Sequence, residues 1–138
     1  MTTSKEMMMP KEPKPKQAKH VLVIDDDREI VETLKYALTS HGFEVSIATD
    51  GNQGVAYAEA KEPDLVILDM MMPRRSGFLV LERLRRFTEI PVPVIMITGN
   101  EGARHQEYAE MLGVNDYIHK PFTMDRLIAS VNNLLDCE

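Results

Sequence analysis

The chain has 138 residues, 43% of them hydrophobic, which suffices for one ordinary globular core and not for two. Residues 1–19 hold five Lys and two Glu, a net charge of +3, which leaves 11 basic and 20 acidic residues and a net of −9 in the remainder. A body that acidic is repelled by a phosphate backbone, which argues against direct nucleic-acid binding.

Residues 1–19, MTTSKEMMMPKEPKPKQAK, space prolines among lysines and contain almost no branched aliphatics. This composition builds no core and reads as a flexible, partly polyproline-like extension, set apart from a domain over 20–138. Without an apolar h-region it is not a signal peptide. The single cysteine, Cys137, has no internal partner, which fits a reducing compartment, most simply the cytoplasm. Apolar runs of four to six residues fall short of the ~20 that span a membrane.

From residue 20 a regular alternation sets in. HVLVI is a strand-length apolar run, and REIVETLKYALTSHG places Ile30, Val31, Leu34, Tyr36, Ala37 and Leu38 at largely helical spacing before Gly42. FEVSIAT alternates as a strand does, and NQGVAYAEAKEP is a small-residue helix ending before Pro63. DLVIL predicts a buried strand, and FLVLERLRRFTE an amphipathic helix after Gly77. VPVIMI predicts another buried strand, followed by a polar helix EGARHQEYAEML that stops at Gly113. DYIH is a short strand, and MDRLIASVNNLL a closing helix capped by Thr123. Apolar strands alternating with helices predict an α/β fold with a parallel sheet covered on both faces and right-handed crossovers.

In such a sheet ligands bind beyond the C-terminal strand ends. The first strand runs into Asp25, Asp26 and Asp27, the third into Asp69, the fourth into Thr98 and Gly99, and the fifth into Lys120 and Pro121. The second ends in Ala48 and Thr49, which offer little. Carboxylates gathered at one edge repel one another unless a cation sits among them, and hard oxygen ligands suit Mg²⁺. A lysine is a point charge for a phosphoryl oxygen, a threonine hydroxyl donates to another, and a carboxylate can accept phosphate as an acyl phosphate. Together they describe phosphoryl transfer by positioning and charge neutralisation. Singly, each has a plainer explanation: Asp25 to Asp27 as a helix cap, Asp69 as a strand-end turn residue, Thr98 and Lys120 as ordinary strand-end groups. Their conjunction at one edge, in this chain order, is what points to a site.

VLVIDDD at 21–27, DLVILDMMMP at 64–73, Gly77, PVIMITG at 93–99 and DYIHKPF at 116–122 resemble the receiver domain of two-component response regulators, of the chemotaxis-like single-domain type. The resemblance implies a flavodoxin-like doubly wound sheet of five parallel strands in the order 2-1-3-4-5. It implies Asp69 as phospho-acceptor, and Mg²⁺ held by Asp25, Asp26, Asp69 and the backbone carbonyl of Met71. Thr98 and Lys120 would contact the phosphoryl group, Tyr117 would be the aromatic that follows Thr98 in the switch, and the Lys120–Pro121 bond would be cis. The implied partners are a sensor histidine kinase or a histidine phosphotransfer protein, and a downstream protein reading the face of the fourth helix, fifth strand and fifth helix. The protein would be a signalling switch that catalyses its own phosphotransfer and autodephosphorylation, not a conventional enzyme, monomeric or dimeric on phosphorylation.

Several positions depart from the commonest pattern of that family. Gly99 replaces the usual alanine, Arg74 and Arg75 precede Gly77, and Ser130 stands where DNA-binding relatives often carry an arginine of their dimer interface. Met71 and Asn100 occupy the variable positions flanking the phosphoryl group, and apolar Met71 is expected to hinder the attacking water. Among rivals, a haloacid-dehalogenase-like phosphatase would use Asp25 of the DDD run, but Glu29 and the lack of a late acidic pair disfavour it. A phosphorylation-independent interaction module would not need the intact acidic set. A dinucleotide enzyme lacks its glycines in DDDREI, and adjacent methionines in a strand do not converge on copper. Arg83, Arg85 and Arg86 are read as complementing the dipole of the third helix.

Overall fold

The computed structural model describes residues 18–72, 76–87, 92–99 and 103–136. Arg74, Arg75, Asn100, Cys137 and residues 1–17 of the basic extension lie outside the described residues. The strands are β1 (His20–Ile24), β2 (Glu44–Ala48), β3 (Leu65–Asp69), β4 (Val94–Thr98) and β5 (Asp116–His119). They alternate with helices α1 (Arg28–Ser40), α2 (Gly51–Lys61), α3 (Gly77–Phe87), α4 (Ala103–Met111) and α5 (Met124–Leu135). All strand pairs are parallel and the order is β2-β1-β3-β4-β5, as the resemblance implies. No helix among the described residues is long and apolar enough to cross a membrane.

The two-residue period of the pleat splits the apolar strands between two cores. Val21, Val23, Leu65, Ile67, Ile95, Ile97 and Ile118 pack against α1 and α5 through Val31, Leu34, Leu38, Leu127, Ile128 and Val131. Leu22, Ile24, Val66, Leu68, Val94 and Met96 pack the other way, against Val55 and Ala58 of α2, Val80, Leu81 and Leu84 of α3, and Ala109 of α4. β3 and β4 are buried at every position because both their faces are covered.

The helix ends follow local chemistry. Asp50 caps α2 by accepting from Gln53 N at 2.8 Å, and Thr123 caps α5 by accepting from Arg126 N at 3.1 Å. α1 stops before Gly42, whose φ of +91° few other residues adopt. Two details differ from the sequence reading. Tyr36 falls off the buried stripe of α1 and is exposed, since Val31, Leu34 and Leu38 already form that stripe. β4 starts at Val94 instead of Val92: Pro93 has no N–H, and its carbonyl receives Val66 N at 2.9 Å at the strand entry.

Candidate functional site

Strand register assembles the site. Ile24 pairs with Leu68, so the residues that follow, Asp25 and Asp69, emerge side by side. Asp69 pairs with Ile97, which places Thr98 one step beyond it, and Thr98 pairs with His119, which places Lys120 one step further. Backbone bonds extend the ladder past the strands, from Asp25 N to Ala48 O at 3.1 Å, Met70 N to Ile97 O at 2.9 Å and Lys120 N to Thr98 O at 2.7 Å. Ala48, at the strand end that looked uninformative, therefore anchors Asp25. The Lys120–Pro121 peptide is cis.

Pleat parity then sorts the side chains. Asp25 continues Val21 and Val23, Asp69 continues Leu65 and Ile67, and Lys120 continues Ile118, all on the α1–α5 side. Thr98 continues Val94 and Met96, and Met70 continues Val66 and Leu68, on the α2–α4 side where Tyr117 also packs. Acid–base chemistry and the tyrosine thus lie on opposite parities of one sheet edge.

On the first parity, Lys120 Nζ lies 3.3 Å from Asp69 Oδ1, while Asp69 is 4% and Asp25 2% exposed. Burial, with Asp25 adding repulsion, pushes the Asp69 carboxyl from an ordinary 3.8 up to about 6 against the pull of Lys120. Burial raises Asp25 too, opposed by its hydrogen bond from Asp27 N at 2.9 Å and by Lys120. Asp26 is exposed. One carboxylate oxygen from each of Asp25, Asp26 and Asp69 lies within 4.8 Å of the others. Three crowded carboxylates facing one ammonium leave negative charge that a hard divalent cation would offset, so the donor set fits Mg²⁺.

The aspartate run is divided in function. Asp27 turns back to cap α1, accepting from Glu29 N at 3.0 Å and Ile30 N at 3.4 Å, which leaves Asp25 and Asp26 for the crevice. The capping explanation holds for one of the three and fails for the other two.

Gly77 holds the Asp69 strand end in place. Its N–H donates to Met70 O at 2.8 Å, and a Cβ there would sit 2.6 Å from Asp69 O and 2.7 Å from Met70 Cα. Only glycine lets the start of α3 approach the strand this closely. Met71, two residues past Asp69, is 61% exposed.

On the second parity, Thr98 is fully buried and Tyr117 nearly so. Burial raises the Tyr117 phenol, and a hydrogen bond with Thr98 works against that shift. The Tyr117 hydroxyl also lies 3.7 Å from Met70 Sδ, and its ring meets His119 edge-on at 5.3 Å.

Three features had no clear sequence signal. Arg85 donates to Val92 O at 2.8 Å, to Gly113 O at 2.8 Å and to Asn115 Oδ1 at 3.0 Å, so it ties α3 to the loop before β5 and does not merely complement a helix dipole. Arg83 pairs with Glu59 of α2 at 3.2 Å. Asp116 is gripped by Arg126, at 3.0 and 3.1 Å, and by the Ser130 hydroxyl. Burial pushes the Asp116 carboxyl up, but these bonds and that from Tyr117 N outweigh it and hold it below the ordinary value. Spacing on a helix does not reveal bonds to carbonyls of distant loops.

A family model described as the response regulator receiver domain matches residues 21–132. Among solved structures, the chain is similar to a CheY-like response regulator receiver domain protein from Methanospirillum hungatei, at 28% identity and a TM-score of 0.83, covering 87% of this chain and 95% of that one. It is similar to the receiver domain of response regulator 1452 from Francisella, at 31% identity and a TM-score of 0.81, covering 86% and 97%. The chemotaxis protein CheY4 of Vibrio cholerae aligns at 27% identity and a TM-score of 0.78, covering 86% of this chain and 100% of that one.

Proposed function

Because the chain belongs to the response regulator receiver domain family of two-component signalling, we propose that it is a phospho-accepting switch with Asp69 as its acceptor. The observation that carries this reading is a carboxylate 4% exposed at a strand end, 3.3 Å from Lys120 Nζ and beside Asp25 and Asp26. An Asp69 oxygen attacks the phosphorus of a phosphohistidine. A P–O bond forms, the P–N bond breaks, and the imidazole leaves carrying a proton. Water later attacks the acyl phosphate and releases inorganic phosphate.

Asp25, Asp26 and Asp69, with the Met71 carbonyl, would hold Mg²⁺, which when bound supplies charge neutralisation for the phosphoryl oxygens. Lys120 exchanges its contact with Asp69 for one with a phosphoryl oxygen. The Thr98 hydroxyl turns from Tyr117 to a second oxygen, which biases a two-state equilibrium of the α4–β5–α5 face. The donor is a sensor histidine kinase or a histidine phosphotransfer protein, in the cytoplasm. Ser130 is engaged by Asp116 within the chain, which favours a monomer or a phosphorylation-dependent dimer built without an arginine at that position.

Incubation with acetyl phosphate, with and without Mg²⁺, read by intact mass, tests the reading. The expected result is a Mg²⁺-dependent gain of one phosphate that Asp69→Asn abolishes. No gain under any condition would turn the interpretation to a phosphorylation-independent interaction module. Label on Asp25 would turn it to a haloacid-dehalogenase-like phosphohydrolase.

A further inference from the structure

The residue after the candidate acceptor is buried, not merely a neighbour. Met70 is 2% exposed, its N–H is tied to Ile97 O at 2.9 Å, and its carbonyl receives Gly77 N at 2.8 Å. Because Asp69 and Met70 are consecutive in a pleat, one side chain enters the acidic crevice and the other enters the α2–α4 core. There the Met70 thioether meets the Tyr117 hydroxyl at 3.7 Å, across the intervening strand β4.

That hydroxyl meets the Met70 sulfur in a buried place, and the buried Thr98 stands on the same sheet face, two residues beyond Met96, the strand partner of Tyr117. If Thr98 were the sole partner, its departure would leave a buried O–H unsatisfied and would favour swinging the ring out to water. We propose that Met70 is a positioning residue of the switch: its sulfur retains the Tyr117 hydroxyl when Thr98 turns away, and so holds the ring in the buried orientation. The inference rests on the phosphorylation reading above for its biological use, but the retention itself needs no phosphate. A thioether is a weak acceptor and a polarizable neighbour of an aromatic ring, suited to retaining a hydroxyl through a change of partner.

The test separates the two. Thr98→Ala removes the hydroxyl partner without phosphate, and Met70→Leu removes the sulfur at nearly constant volume. The buried fraction of Tyr117 is read by fluorine NMR of fluorotyrosine-labelled full-length protein, with its resonance assigned through Tyr117→Phe. Circular dichroism confirms that each variant is folded. Thr98→Ala alone is expected to keep the ring buried. Adding Met70→Leu to it is expected to lower the buried-to-exposed ratio by about threefold to tenfold. In the Tyr117→Phe background, with no hydroxyl to hold, methyl resonances lining the ring's pocket should not respond to Met70→Leu. A change below twofold in the double variant overturns the proposal, and so does an equal response with phenylalanine, which would make Met70 simple packing. On acetyl phosphate, parent and Met70→Leu should both gain one phosphate, with the buried fraction lower in the variant. Absence of phosphate on both would refute the switch reading while leaving the Thr98→Ala comparison decisive for Met70.

Discussion

Neutralising the candidate acceptor should stabilise the metal-free fold, with a pH dependence of defined sign. The Asp69 carboxyl is raised from 3.8 to about 6, mainly by burial, even with Lys120 beside it. Each tenfold change in proton affinity is worth roughly 1.4 kcal/mol, so ionised Asp69 costs the native state about 3 kcal/mol. Between about pH 4 and pH 6 the native state binds more protons at this group than the unfolded chain does. Stability therefore falls as pH rises through that window, and the whole penalty is present above it.

Asp69→Asn removes the titration, though it keeps a buried amide to satisfy and gives up the pairing with Lys120. The variant should then be more stable than the parent by about 1–2 kcal/mol at pH 7.5 in chelator, with the advantage shrinking toward zero near pH 4. Urea unfolding at both pH values measures this, with unchanged slopes as the control for two-state behaviour. Added Mg²⁺ should reverse the order at pH 7.5, because it binds the native carboxylates of the parent and adds stability by mass action. A variant no more stable than the parent at pH 7.5, or an advantage that does not change with pH, would refute the assignment of Asp69 as a strained, desolvated charge.

Gly77→Ala puts a methyl 2.6 Å from the Asp69 carbonyl, and should cost about 1–3 kcal/mol in urea unfolding while slowing phosphorylation measured by intact mass. Arg85→Ala leaves the Val92 and Gly113 carbonyls without their donor and should lower stability by about 2 kcal/mol, with Arg85→Lys failing to restore it because a single ammonium cannot reproduce the fork. Asp116 is held below its ordinary value, so its contribution is complete above the unfolded carboxyl range and is lost as pH falls through the depressed value; the stability gap between parent and Asp116→Asn should close in acid unfolding series. Met71→Asn replaces an exposed apolar side chain beside the crevice with one that can orient water, and should shorten the phosphate's lifetime several-fold in a mass-based decay; an unaltered or longer lifetime would sink that role.

The strands were legible because buried parallel strands are continuous apolar runs, and the site was legible because each such run ends in a residue of telling chemistry. Asp25, Asp69, Thr98 and Lys120 could be read in that way since the C-terminal edge follows from the βα alternation alone. What could not be read was register. Whether Asp25 stands beside Asp69 depends on Ile24 pairing with Leu68, and one residue of slip would turn either side chain to the other face. The division of labour in DDD was hidden for a related reason, since capping is settled by the local backbone entry into α1 and the letters are identical. Arg85 stands in the last turn of α3, as the dipole reading expects, but its acceptors come from Val92, Gly113 and Asn115, which helix position alone does not reveal.

The parity of the pleat bears on how a charge at one strand end can be sensed elsewhere. Asp25, Asp69 and Lys120 lie on the α1–α5 side, so a phosphoryl group on Asp69 would grow among groups whose helices are not the ones contacting Tyr117. Two residues on the opposite parity flank that position: Thr98, one step beyond the strand partner of Asp69, and Met70, its successor in the chain. Both lie on the Tyr117 face of the sheet, where the Met70 sulfur meets the tyrosine hydroxyl. Both are tied through the backbone, Met70 to Ile97 and Gly77, and Thr98 through its carbonyl to Lys120 N at 2.7 Å. A change at Asp69 therefore has two short routes to the Tyr117 face of the sheet, one through its strand neighbour and one through its own successor in the chain.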